Sequence, residues 1–285
     1  MTALEHVTAT FKVVTPLFVG DAERQASRLS LASFKGQLRW WWRALMWAEI
    51  RAAVTDAAAA LAKLKDREER LFGTAGSDNA KGRGQSRVLM RLVAADLGKA
   101  IEPPSVLNKR GDAASLEKWR DVVGEGARYL GYGCINAFTT FEYEKDAQGQ
   151  FRKDSEGRRI RKKDVQGRDV VEKYAGQLER SCFPAGGNFT IQLAFHPLLC
   201  RKERDGKLEP ELIFDKRKAE YERDMKDVMR ALKLLGLLGG LGARSRRGWG
   251  SLSLQSLEWR AGEKTIEEWT APTTSAKPHS ITSTR

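Results

Sequence analysis

The sequence predicts an α+β protein of ferredoxin-like (RRM-like) plan with large insertions, built as one such unit or as two in tandem. Three observations predict it. The hydrophobic periods along the chain read β-α-β and then β-α-β again, the order of a split βαβ arrangement. With 285 residues and 41% apolar content, the chain is long and apolar enough to bury a sizeable core. A charged, glycine-punctuated stretch at about 142–175 interrupts that order with few apolar anchors, so it reads as an inserted arm, either a long hairpin or a loop.

Taken in order, residues 4–14, "LEHVTATFKVV", alternate apolar and polar as a half-buried strand does, and Thr15-Pro16 ends it. Gly20 opens a loop through Ser33. "FKGQLRWWWRAL", residues 34–45, then begins a helix capped by Ser33. At about 100° per residue, Phe34, Leu38, Trp41, Leu45 and Ala52 share its core face, with Trp42 at the edge. Trp40 and Trp47 fall nearly opposite, beside Arg43 and Arg51, and Lys35, Arg39 and Arg43 form a basic stripe at four-residue steps. An Ala-rich helical run continues over about 52–71, a glycine-rich loop follows, and "RVLMRLVAA" at 87–95 is the second strand. Pro103-Pro104 breaks the chain, 115–130 has a helical pattern, and Gly131 and Gly133 precede a short apolar stretch ending at Phe141. "NFTIQLAFH" at 188–196 is the third strand. A helix over about 216–238 places Tyr221, Met225, Val228, Leu232 and Leu235 on its core side, and the fourth strand covers about 249–259. Residues 1–265 are expected to form the core, with a disordered, polar tail over 266–285.

The net charge is +13, and its location says more than its size. Arg24 to Arg51 holds six basic residues and one acid, Glu49. Lys81 to Arg91 holds four basic residues and no acid, and Leu235 to Gly250 adds Arg244, Arg246 and Arg247, again without an acid. These three stretches carry +12 of the +13, and each contains glycine. In the last of them, Gly236, Gly239, Gly240, Gly242, Gly248 and Gly250 surround the arginines. Glycine lets another chain approach the backbone, and arginine offers a fork of donors that fits phosphate oxygens, so the loop is expected to hold a nucleic-acid backbone. No GxxxxGK[ST] pattern occurs, so hydrolysis of the P-loop kind is not indicated. The start of the Trp helix is a second anion site: Gly36 leaves its backbone bare, and Lys35, Arg39 and Arg43 extend it. Trp40 is a candidate base-stacking ring, as is Trp47. Lys81, Arg83 and Arg87 supply the third basic patch.

"TPLFVGD…SLASFKGQLRWWWRAL", with "LFGTAGS" further on and "GGLGARSRRGWGSL" near the end, resembles the RAMP superfamily of CRISPR proteins. Within it, the pattern is similar to the family of first subunits of the type III-B Cmr effector complex. A threonine-proline turn, a "KGxLRxWWR" helix and a "GGxGxRSRRGxG" loop stand here in order, from Thr15 to Leu252. The resemblance implies RRM-like units working in a ribonucleoprotein, beside other RAMP subunits, near the 3′ end of a guide crRNA paired with target RNA. It assigns RNA contact to Lys35, Gly36, Arg39 and Arg43, and to Gly240, Gly242, Arg244, Ser245, Arg246, Arg247 and Gly248.

Some RAMP relatives cut RNA, so a metal-independent endoribonuclease that processes CRISPR RNA is the alternative. The three histidines, His6, His196 and His279, show no positioned partner for general-base work. Asp21 lies near the position of a catalytic aspartate in cutting relatives, but its register differs. We therefore expect no catalytic residue, no metal and no cofactor. Cys134, Cys182 and Cys200 are odd in number and lack a CxxC spacing, which fits a reducing cytoplasm better than a disulfide framework or zinc site. No run of 18 apolar residues occurs and the N-terminus lacks the order of a secretory signal, so no membrane partner is expected.

Overall fold

The computed structural model describes residues 5–20, 26, 28–74, 86–103, 105–107, 113–114, 125–195, 199–204, 207–212 and 218–272. Strand β1 (Glu5–Val13) leads into helices α1 (Leu31–Ala53) and α2 (Ala57–Phe72), then strand β2 (Val88–Asp96). An insert follows, with β3 (Val106–Leu107), β4 (Ala113–Ala114), α3 (Glu125–Leu130), β5 (Ile135–Phe141) and β6 (Val171–Leu178). The main fold resumes with β7 (Asn188–Phe195), passes through a hairpin of β8 (Leu199–Arg204) and β9 (Lys207–Leu212), and continues with α4 (Lys218–Leu238), β10 (Leu252–Ala261) and β11 (Lys264–Thr270).

The main sheet has the order β11-β10-β1-β7-β2, and all its pairs are antiparallel. Without the edge strand β11, this is the ferredoxin-like order: first and third core strands central, second and fourth outside, one helical crossover in each half. The four strands read from the sequence are these four. β11 departs from expectation, because residues 264–270 pair with β10 where a disordered tail was expected from 266. Half-buried Trp269 packs on the core, and Lys233 of α4 meets Glu267 at 3.2 Å.

Every second residue of β1 (Val7, Ala9, Phe11 and Val13) is buried beneath the helices, as the period of two requires. Phe11 stacks on Phe189 with ring centroids 5.4 Å apart, and Phe34 of α1 meets both rings edge-on. From α4, the expected Tyr221, Met225, Val228, Leu232 and Leu235 are all buried.

The face of α1 differs from the sequence reading. Its buried residues are Phe34, Leu38, Trp42, Met46 and Ile50; Trp41 and Leu45 are half-buried and Ala52 is exposed. A strict four-residue step advances about 40° per turn, so the stripe spirals around the helix. It can do so because α1 is covered by the sheet and also by α2 and α4. Trp42, expected at the edge, is fully buried edge-on against Phe72 of α2 at 5.8 Å. The helix also starts earlier than expected, at an N-cap of Ser30, whose Oγ accepts from the Ser33 amide. The Ala-rich run is a separate helix: Asp56 caps α2 by accepting from the Ala59 amide at 2.6 Å.

Buried acids fasten α2 in place. Arg67 donates to Asp227 at 2.6 Å and lies 3.7 Å from Asp224, which also takes Arg87 at 3.2 Å. Glu68 takes Arg39 at 2.7 Å, with Arg43 at 3.8 Å. Burial pushes the Asp224 carboxyl above the usual range, while Arg87 and Arg67 pull it back.

The arm at 142–170 is three consecutive hairpins built on a repeated Asp-x-x-Gly turn, finer than the long hairpin or loop expected. Asp146, Asp154 and Asp164 each accept, through Oδ1, from the amides two and four residues on. Gly149, Gly157 and Gly167 close the turns at φ near +79°, +78° and +75°. Charges pair within the arm, as Arg152–Glu144 and Arg161–Asp169 do, both at 2.8 Å.

Trp42→Ala is expected to lower stability by about 3–5 kcal/mol in urea unfolding, because it empties a filled site. Trp47→Ala, at a ring 37% exposed, is expected to cost under about 1 kcal/mol.

Candidate nucleic-acid interface

The chain between β1 and α1 and the loop after α4 are joined by backbone bonds. The Ala243 amide donates to the Phe18 carbonyl at 2.8 Å, and the Gly250 amide to that of Pro16 at 2.9 Å. Thr15 adds both of its capacities: its hydroxyl donates to the Gly248 carbonyl at 2.7 Å and accepts from the Ser251 amide at 2.9 Å. At Gly242, φ is +78° and an added Cβ would lie 2.3 Å from the Phe18 carbonyl oxygen. Only glycine meets both demands.

This corrects the reading of the loop's glycines. Gly240 and Gly242 serve the chain's own close approach: a Cβ on Gly240 would lie 2.8 Å from the Gly250 carbonyl oxygen. Gly236 belongs to α4, where it lets the helix lie against Leu254 of β10. Gly248 and Gly36 are the open ones, with no atom within 4 Å of an added Cβ.

The arginines ride on this joined base. Ser245–Arg247 form one 3₁₀ turn between Arg244 and Gly248, both left-handed at φ +61° and +86°. Arg246 and Arg247 are exposed, and no acid pairs with either among the described residues. The Arg246 guanidinium carbon lies 5.6 Å from the Trp40 ring centre, so the loop meets the tryptophan helix directly.

Between the two lies a cleft of about 350 Å³. Its walls are Ser30, Ser33, Gly36 and Gln37 from α1, Phe18–Gly20 after β1, Gly242 and Ala243 from the loop, and Arg180 and Ser181 from the insert. No acidic side chain occupies the first turn of α1, whose free amides favour an anion. Lys35 is held below the usual lysine range, first by its burial and then by the charge of Arg39. The cleft is thus cationic and, among the described residues, has no acidic side chain in its walls.

Other expected residues fall differently. Arg39 and Arg43 lean on Glu68, so the basic stripe is partly engaged inside the fold. Arg87 is withdrawn from the interface: its side chain is 11% exposed and bound to Asp224. Lys81 and Arg83 lie outside the described residues. Trp40 is 39% exposed, with Arg246 over its ring and Trp41 edge-on at 4.8 Å. Arg244 reaches toward the insert, where its Nη2 would be 3.0 Å from a Cβ on Gly133. Arg180 comes from the same side; burial holds the Cys134 thiol above the usual range, and Arg180 and Arg244 pull it part of the way back. Sequence reasoning missed Arg180 and Ser181. Neither stands in a periodic segment or a basic run, so only the folded insert brings them to the cleft. Burial also pushes the Cys182 thiol up to about 12, which suits a packed side chain rather than a nucleophile.

His6 stands near the start of β1 and the cleft lies beyond its end. At about 3.3 Å per residue the separation is roughly 23 Å, too far for proton transfer to a ligand there. Asp21, His196 and His279 lie outside the described residues. Among the described residues, no helix is long and apolar enough to cross a membrane.

A model of the RAMP superfamily matches residues 10–253. A stretch of 88 residues, 31% of this chain, is 33% identical to the CRISPR system Cmr subunit Cmr1-2 of Pyrococcus furiosus and spans 40% of that protein. Among solved structures, a type III-B Cmr-β bound to cognate target RNA is similar at 11% identity and a TM-score of 0.37, over 91% of this chain and 61% of that one. A type IV-B CRISPR complex is similar at 12% identity and a TM-score of 0.36, over 91% and 92% of the two chains.

Gly242→Ala is expected to destabilise the protein by at least about 1–3 kcal/mol, from left-handed strain and the collision with Phe18. Gly36→Ala, in an open helical turn, is expected to stabilise it by about 0.5–1 kcal/mol. Urea unfolding of both variants checks the contrast.

Proposed function

The chain belongs to the RAMP superfamily, and from that premise we propose that it is a non-catalytic RNA-binding subunit of a cytoplasmic type III-B CRISPR effector. In this role it grips the 3′ region of the guide crRNA and its duplex with target RNA, beside other RAMP subunits, in antiviral defence. The observation that carries the reading is the meeting of the α1 start, the arginine loop and Arg180 around one cleft, with no acid in its walls among the described residues. The stretch shared with a Cmr subunit supports the choice of complex.

The division of labour follows from the chemistry present. Guide–target pairing reads sequence, and the protein holds backbone and shape. The first amides of α1 face phosphate oxygens and Gly36, without a side chain, lets the strand come close, while Arg246 and Arg247 supply forked donors at the rim. Arg39 and Arg43 contribute field more than direct contact, since Glu68 already holds them.

Counterion release dominates such binding. With about six to ten phosphate contacts, affinity for guide RNA should fall about 10³- to 10⁵-fold between roughly 50 and 200 mM salt, by analogy with duplex DNA. The Arg246→Ala/Arg247→Ala variant should reduce the slope of log affinity against log salt by about 1.4 on a single strand. Nearly salt-independent binding would overturn the reading. So would specific cutting of labelled repeat RNA by the pure protein in EDTA, which would identify an endoribonuclease instead.

A further inference from the structure

We propose that Tyr132, with Tyr129 beside it, is a platform on which an unpaired nucleobase of the bound RNA stacks, next to the arginine loop that holds its phosphates. The proposal rests on the RNA-binding reading above and adds a site to it.

Tyr129 is 74% exposed and Tyr132 69%, the two most exposed aromatic side chains among the described residues. Their backbone is not loose. The Gly131 amide donates to the Ala127 carbonyl at 2.9 Å, and the Gly131 carbonyl accepts from the Cys134 and Ile135 amides at 2.8 and 2.9 Å. Tyr132 therefore projects from a tight turn at the end of α3. The glycine on each side touches the rest of the site: a Cβ on Gly131 would lie 3.2 Å from Trp249 Nε1, and one on Gly133 would meet Arg244. Trp249 follows the arginine turn by two residues, is buried, and meets Phe18 edge-on at 5.4 Å. The tyrosine turn, the arginine loop and the chain after β1 thus share one small apolar core, which also holds Ile135, Cys134 and Ala243.

A large ring held out into water on a braced turn gains nothing for folding. Beside cations that have no acidic partner among the described residues, it is suited to a nucleotide, whose base offers a flat face and whose phosphate offers the charge. Trp40 is less suited to this task, because Arg246 covers its ring and Trp41 meets it edge-on. Stacking on tyrosine is sequence-tolerant, as a protein that leaves reading to base pairing requires.

The test uses the full chain and a single-stranded RNA carrying 2-aminopurine, whose fluorescence is quenched on stacking. Tyr132→Ala should lose the quenching and weaken binding about 5- to 150-fold, the equivalent of about 1–3 kcal/mol per stacked base, without changing the salt slope. Tyr132→Phe should keep both, and Arg246→Ala/Arg247→Ala should reduce the slope and keep the quenching. Should the Tyr129→Ala/Tyr132→Ala variant bind and quench like the parent while the arginine variant weakens, the platform is overturned and the RNA-binding reading stands. Failure of the parent chain to bind the strand at all overturns both.

Discussion

The site depends on one joint: the backbone stitch between the chain after β1 and the loop after α4. The two segments are more than 200 residues apart and come together because β1 and β10 pair side by side in the sheet. Gly242 against the Phe18 carbonyl, with the Ala243 and Gly250 amides bonded across the gap, then fixes the loop's path. The arginines of the loop are placed by that joint. From that base the arginine turn meets α1, where Arg246 lies over the Trp40 ring.

Where the basic residues end up is decided by where acids are buried. Glu68, Asp224 and Asp227 lie within the helical layer; the two aspartates hold Arg67 and Arg87 inside it, and Glu68 engages the half-buried Arg39. A buried carboxylate without a cation would be costly, so these arginines are held by the fold itself. Among the described residues no acid pairs with Arg246 or Arg247 in the loop after α4, and both remain at the surface. In the arm the acids are at the surface, and most of its cations pair with them across its own three turns. A basic run in the sequence therefore marks an interface only where the folded chain supplies no acid to answer it.

Much of the frame was legible in the sequence. The four core strands declare themselves by alternation, and the order of periods gives the sheet, because a split βαβ plan has a restricted set of connections. The tryptophan helix and arginine loop each stood out as a candidate anion site by their charge and glycine. What was not legible depends on tertiary context. Trp42 rather than Trp41 is fully buried because Phe72 of α2 packs on the middle of α1. Arg87 looks like part of a basic patch until Asp224, 137 residues away, is seen beside it. The loop's glycines looked like an invitation to a ligand, and most answer to carbonyl oxygens or side chains of the same chain. Arg180 carries no local signal at all.

The central claim is that a phosphate backbone runs through a single groove made by the start of α1, the loop after α4 and the Arg180 edge. Hydrogen–deuterium exchange of the full chain, with and without guide RNA, measures this most directly. The account predicts that amides of residues 31–37 and 243–248 become protected together, with those around 180–181, while the outer strands of the sheet are unchanged. Protection confined to one of these segments, or centred on the open face of the sheet, would contradict it.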